Sequence, residues 1–343
     1  MRIVAVCSAL ALALATHAQL KETITVARVL VDVRVTDYYG KPIEGLQAED
    51  FQVRIGGKRA NVESVTWVSD DGSAPLPEES DTVEPLIEPR EDEQRRRGRL
   101  IVAFVQTDWA RNNFRVVGQM NFRKYANELV ESLQPEDRVA VFSFDSYLKF
   151  RRDFTNDKDD IRAAIAESLY IDHPGPPPLV PNPALARRLD RAEMKRAASS
   201  ERALLLVANA LLPIEGPKTM LLIGWGLGRL EGGVVRMTPD WKATRRALDA
   251  ARVTIFSLDF AAADGHDLAF GLETAAEETG GFYASTFRFP QLAIDRLKKT
   301  LSGHYELELR VPDGLKPGPH ELTIRMPEHS SLYILAPTSV TTR

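Results

Sequence analysis

Two apolar rhythms divide this chain. Near both ends hydrophobic residues recur at every second position. Val29, Val31, Val33 and Val35 alternate with Leu30, Asp32, Arg34 and Thr36, and Tyr305 to Val311 and His320 to Met326 alternate in the same way. A period of two predicts strands with one buried face. Turn residues separate the first of them: Asp37-Tyr-Tyr-Gly40 and Gly56-Gly57-Lys58 flank extended stretches over Phe51–Ile55 and Ala60–Val68. Ser331 to Leu335 is a further short candidate strand. The C-terminal strands either extend a sheet edge or pair with the N-terminal ones.

Between these ends the rhythm changes. Leu100–Val105, Val139–Phe144, Thr219–Ile223 and Val253–Leu258 are apolar runs without alternation, the pattern of strands covered on both faces. They are separated by stretches of helical period over Val116–Leu133, Asp157–Leu169, Ala184–Leu212 (in two segments), Trp241–Arg252, Leu268–Thr279 and Leu292–Leu301, with Gly280-Gly281 as a helix stop. Residues His173 to Pro183 are rich in proline and predict an irregular loop. Alternating buried strands and helices predict a doubly wound, mostly parallel α/β sheet. Ligands of such sheets bind just beyond the carboxyl ends of the strands, which here means Gln106, Thr107 and Asp108.

The remaining segments are of another kind. Residues 1–18 have a charged start at Arg2, an apolar run over Ile3–Ala15 and Thr16-His17-Ala18 before Gln19, the order of a secretory signal peptide. That run is shorter than the roughly 20 residues a membrane span needs. Residues 69–98 are rich in Pro, Glu and Asp, end on Arg95-Arg96-Arg97, and predict an acidic disordered linker. The chain thus divides into a signal peptide (1–18), an N-terminal β module (19–68), the linker (69–98), an α/β domain (99–302) and a C-terminal β extension (303–343). Composition adds exclusions. The 343 residues carry a net charge of −4, without the clustered basic face of a nucleic-acid binder. The single cysteine, Cys7, lies inside the leader, so the exported chain has no disulfide and no thiol chemistry. A secreted or periplasmic protein with no stable membrane span after cleavage is expected.

Several stretches resemble the von Willebrand factor type A (VWA) proteins, and in particular the secreted VWA-related proteins of Acidobacteria. They are Val31-Asp-Val-Arg-Val-Thr-Asp-Tyr-Tyr-Gly-Lys-Pro42, Gly45-Leu-Gln-Ala-Glu-Asp-Phe51, Leu133-Gln-Pro-Glu-Asp-Arg-Val-Ala-Val-Phe-Ser-Phe144, Gly216-Pro-Lys-Thr-Met-Leu-Leu-Ile223, Thr279-Gly-Gly281 and Tyr305-Glu-Leu-Glu-Leu309. Each is short; their common order over residues 25–326 carries the likeness. The resemblance implies a VWA (Rossmann-like) sheet and a metal-ion-dependent adhesion site, in which Asp-x-Ser-x-Ser, a Thr and a further Asp hold Mg²⁺ through oxygen ligands. This chain departs from that pattern. Gln106 stands at the first Asp, with Asp108 and Asn112 as a shifted alternative. The loop over 173–183 offers no Gly-Thr, and Gly224-Trp225-Gly226 contains no Asp. The expectation is a degenerate site without cofactor, Gln106 and Asp108 being the residues nearest to a metal-ligand role. A protein partner would then be met by Gln106, Thr107, Asp108, Asn112 and Trp225, on a face built from residues 106–113, 173–183 and 224–233.

Catalytic motifs give little. Gly224-Trp-Gly-Leu-Gly228 does not have the phosphate-loop spacing and opens into no immediate helix. No His-Glu-x-x-His or Gly-x-Ser-x-Gly occurs. His266 between Asp264 and Asp267 is the one acid–base candidate, and a hydrolase using these three is the alternative to a non-enzymatic adhesion or scaffold protein.

Overall fold

The computed structural model describes residues 27–69, 98–107, 115–170, 172–178, 180, 183–261 and 265–342, with residues 115–121 as backbone only. The signal peptide, almost all of the linker, Asp108, Asn112 and Asp264 lie outside the described residues. The protein is a mixed α/β structure with two large sheets. The N-terminal strands are β1 (Arg28–Thr36), β2 (Gln52–Ile55) and β3 (Lys58–Ser69). The central part runs β4 (Leu100–Gln106), α1 (Arg115–Glu131), β5 (Arg138–Phe144), β6 (Leu148–Thr155), α2 (Lys158–Glu167), α3 (Arg191–Arg196), α4 (Ser200–Leu211) and β7 (Lys218–Gly224). It continues through β8 (Arg229–Glu231), β9 (Val234–Arg236), α5 (Trp241–Ala250), β10 (Val253–Asp259), α6 (Ala269–Glu278), β11 (Tyr283–Ser285) and α7 (Pro290–Thr300). The tail supplies β12 (Gly303–Arg310), β13 (Gly318–Arg325), β14 (Tyr333–Leu335) and β15 (Ser339–Thr342).

The central sheet has the order β11-β10-β7-β4-β5-β6. Its first five strands are parallel, and β6 returns antiparallel to β5. Val102, Phe104, Phe142, Met220 and Ile255 pack with Leu204, Val207 and Leu211 of α4 and Leu248 of α5 on one face. Ile101, Val105, Val141, Ile223 and Leu258 pack with Phe122, Ile161, Ile294 and Leu297 on the other. This two-sided cover is why these strands read as unbroken apolar runs.

Strand β6 was not legible in that way. Its sequence carries Lys149, Arg151, Arg152 and Asp153, yet all four are buried. Burial is tolerated because the three cations are paired with carboxylates and Asp153 accepts from the amides of Phe154, Leu185 and Ala186. Lys149 meets Asp145 at 2.5 Å, Arg151 bonds Asp172 through both terminal nitrogens and Ser143 through Nε, and Arg152 reaches Asp160 at 3.1 Å.

The N- and C-terminal strands form one seven-stranded sheet, β14-β1-β12-β3-β2-β13-β15, around a core that includes Val33, Ile55, Tyr305, Leu307 and Leu309. The tail therefore pairs with the N-terminal strands. This sheet docks at the amino ends of the central strands. Asp32 and Glu306 face each other across β1 and β12, and Arg252, one residue before β10, binds both. Lys218, at the start of β7, donates to the carbonyls of Ile214 and Ala251, and burial lowers its ammonium to about 8. The carboxyl ends of the central strands are thus left at the opposite end of the molecule.

A second latch joins β15 to α5, where the Ser339 hydroxyl donates to Asp249. Burial raises the Asp249 carboxyl to about 6, with a smaller contribution from Glu278, against the Ser339 bond and Arg245. The folded chain therefore holds this proton more tightly than the unfolded one. Its stabilising contribution is full below about pH 4 and is lost as the pH rises through 6. Asp249→Asn should gain about 2–3 kcal/mol on the wild type between pH 4 and pH 7, read from urea midpoints. A gap that stays constant with pH contradicts the assignment.

Candidate functional site

The site lies at the carboxyl ends of β4, β7 and β10. Gln106 closes β4 with its side chain directed across the sheet to the connection after β7. Its Oε1 accepts from the Trp225 amide at 3.1 Å and the Gly226 amide at 3.4 Å. Its Nε2 donates to the Ser200 hydroxyl and the Gly226 carbonyl, both at 2.8 Å. A primary carboxamide has two acceptor positions and two donor hydrogens, so all four are used. Gly224 permits this approach, because a Cβ there would stand 1.9 Å from Gln106 Oε1. Thr107 is tied to the Phe144 carbonyl through its amide at 2.8 Å and its hydroxyl at 3.2 Å.

Gln106 is 3% exposed and Thr107 1%. The expectation that these two side chains meet a partner is therefore corrected: they are spent inside, holding loops in place. Trp225 is half-buried, and among the described residues its indole N–H has no hydrogen-bond partner. The hydroxyl that meets the Gln106 side chain comes from Ser200, a residue the sequence analysis did not single out. The signal for Ser200 was present. Ser199-Ser200-Glu201 opens an amphipathic stretch, and the Ser199 hydroxyl caps α4 by accepting from the Arg202 amide.

Glu201 fixes the same connection from the other side. Its buried carboxylate accepts from the amides of Gly228 at 2.9 Å and Thr238 at 3.4 Å. The backbone N–H groups of the glycine-rich segment are thus engaged by Gln106 and Glu201, which removes the donors a phosphate would need.

At the end of β10, Asp259 is 1% exposed. It accepts from the Ala261 amide at 2.8 Å and the Tyr283 hydroxyl at 2.7 Å, and lies 2.8 Å from His266 Nε2. The aspartate paired with His266 is therefore Asp259, which sequence reasoning missed because it closes an apolar strand seven residues upstream. No hydrogen bond joins His266 to Asp267 or to a serine or threonine hydroxyl among the described residues.

Among the described residues, six exposed large apolar side chains lie on the connections that leave this end of the sheet, and six others, Tyr38 and Tyr39 among them, lie off those connections. Leu230 and Val234 lie on the β8–β9 hairpin after β7, Phe270 opens α6 after β10, and Phe287, Phe289 and Leu292 follow β11. Phe289 and Leu292 are 67% and 68% exposed.

No family model and no curated protein matches the chain. Solved structures that it resembles include the von Willebrand factor type A protein from Catenulispora acidiphila, at 9% identity and a TM-score of 0.41, covering 93% of this chain and 75% of that one. The protein BatB from Bacteroides thetaiotaomicron is 12% identical, with a TM-score of 0.39 over 59% of this chain and 98% of that one. The vWF domain of the type V pili tip protein Mfa5 from Porphyromonas gingivalis is 11% identical, with a TM-score of 0.37 over 59% and 94%. The chain spans less than half of two others, 43% of the human COPII-coat protein Sec24c and 47% of proximal thread matrix protein 1 from the mussel byssus. TM-scores this low establish no shared fold, and the architecture above rests on the strand pairing alone. No helix among the described residues is long and apolar enough to cross a membrane.

Proposed function

We propose that this is an exported, non-enzymatic protein-binding chain with a doubly wound VWA-type domain, acting through the carboxyl-end face as an adhesion or scaffold module. The observation that carries the reading is the set of exposed apolar side chains on the connections after β7, β10 and β11. Soluble proteins rarely display several large apolar groups together unless the patch meets another molecule. A protein surface is the partner whose chemistry matches, since aromatic residues supply most of the energy of such contacts.

The same reading makes the metal-ion-dependent adhesion site degenerate. A divalent cation needs several hard oxygen donors around one point. Gln106 instead turns an amide nitrogen toward Ser200, and its oxygen is taken by two backbone amides. These donors do not fit Mg²⁺. Gln106 and Ser200 take the role of a strut between loops, and partner binding needs no ion.

The experiment is capture of partners from an envelope extract by the exported chain, compared with a Phe289→Glu, Leu292→Glu variant. Both positions are surface-exposed, so the fold and melting temperature should be unchanged while capture falls at least tenfold. Undiminished capture by a folded variant removes this face from the interaction.

A further inference from the structure

A cavity of about 410 Å³ lies beside the edge strand β6, away from the exposed apolar connections after β7, β10 and β11. Its walls are apolar. Leu148 and Phe150 come from β6, Leu189 and Met194 from α3 and its approach, and Pro174, Pro176, Pro177 and Pro178 also line it. The size is within the roughly 300–1,000 Å³ of small-molecule sites, and such sites add a few polar groups to an apolar lining.

The charges around it do not balance. Asp153 is the carboxylate in its lining, and both oxygens are consumed by the amides of Phe154, Leu185 and Ala186 at 2.8–3.2 Å. Lys149 is buried between Asp145 and Asp172, so it is already neutralised. Tyr147 and His173 are bonded to each other at 2.8 Å with their rings stacked. Arg191 and Lys195 remain. They stand one turn apart on α3, exposed, and neither has a carboxylate partner among the described residues. The one bond of Arg191 is a long donation to the Pro174 carbonyl at 3.5 Å. The acids of that helix do not line the cavity, and Asp190 is occupied in capping it through the Glu193 amide.

We infer that this cavity binds a small amphiphilic anion, a medium-chain fatty carboxylate whose tail lies against Leu148, Phe150 and Met194 and whose head pairs with Arg191 and Lys195. An apolar interior selects for a tail. Two uncompensated cations at the mouth select for a carboxylate, which gains charge-assisted hydrogen bonds there. The cavity uses the 173–183 loop but none of the exposed apolar residues after β7, β10 and β11 on which the proposed docking rests.

The test is calorimetric titration of the exported chain with decanoate, with methyl decanoate and acetate as controls. Decanoate should saturate one site, and both controls should bind at least tenfold more weakly. Arg191→Glu, Lys195→Glu should lose at least tenfold in decanoate affinity at unchanged melting temperature, and Ala186→Trp, on the cavity wall, should lose as much. Phe289→Glu, Leu292→Glu should bind decanoate like the wild type, which separates failure here from failure of the docking face. Absence of saturable binding, equal affinity for the ester, or undiminished binding by the charge-reversed variant overturns the proposal.

Discussion

Replacing Arg252 with alanine should cost about 3 kcal/mol of folding stability. Its guanidinium is the cation shared by Asp32 and Glu306, which oppose each other on neighbouring strands. Asp32 is buried, with Arg252 first among the groups that hold its carboxyl below the usual carboxylate range against its burial. Removing the arginine leaves two facing carboxylates, one of them desolvated, at the junction of the two sheets. Arg252 also sits at a φ of 53°, where a side chain is strained. Arg252→Gly should therefore lose about 1 kcal/mol less than Arg252→Ala, because glycine relieves that strain. Asp32→Asn combined with Arg252→Ala should recover part of the loss, since the uncompensated charge is gone. Urea denaturation reads all three. A loss below about 1 kcal/mol in Arg252→Ala would show that the pair is solvent-screened.

The second large effect is at Gln106. Gln106→Leu keeps the bulk but orphans the amides of Trp225 and Gly226, the Gly226 carbonyl and the Ser200 hydroxyl. Each buried unmet group costs about 1–3 kcal/mol, with partial relief from water, so a total of about 2–4 kcal/mol is expected. Gln106→Glu is the sharper variant. It restores an acceptor for the two amides, loses both donations and buries a charge, so it should be no more stable than Gln106→Leu. Excess Mg²⁺ should not rescue it, because the strut arrangement provides no converging set of oxygens. Thermal denaturation with and without Mg²⁺ checks this, and recovery of wild-type stability with the ion would mean that the loops form a cation site once a carboxylate is present.

Much of the architecture was legible in the residues for physical reasons. The unbroken apolar runs at Leu100–Val105 and Val253–Leu258 are strands covered on both sides, and the period of two at Val29–Val35 and Tyr305–Val311 marks strands with one buried face. What was not legible depended on pairing over long sequence separations. Strand β6 has charges on both faces, and its burial becomes intelligible only through the ion pairs with Asp145, Asp160 and Asp172 and the backbone amides that hold Asp153. The merging of β1 with β12 joins residues about 270 positions apart, which no local rhythm encodes. At the site, the sequence pointed to Gln106 and to the glycines after β7. It did not show that Gln106 is turned inward, because the four groups that receive its side chain lie more than 90 residues away. The same limit hid Asp259 as the partner of His266, since a carboxylate at the end of an apolar strand looks local until Tyr283 and His266 fold over it.

On the function proposed above, the carboxyl-end face binds a protein through apolar contacts, with Gln106 as an internal strut and no ion. Calorimetric titration of residues 19–343 with Mg²⁺ and then Mn²⁺ tests it most directly, because it reads the site itself and needs no knowledge of the partner. No saturable heat is expected with either ion. Stoichiometric binding that Gln106→Leu abolishes would contradict it and make the face an ion-dependent adhesion site.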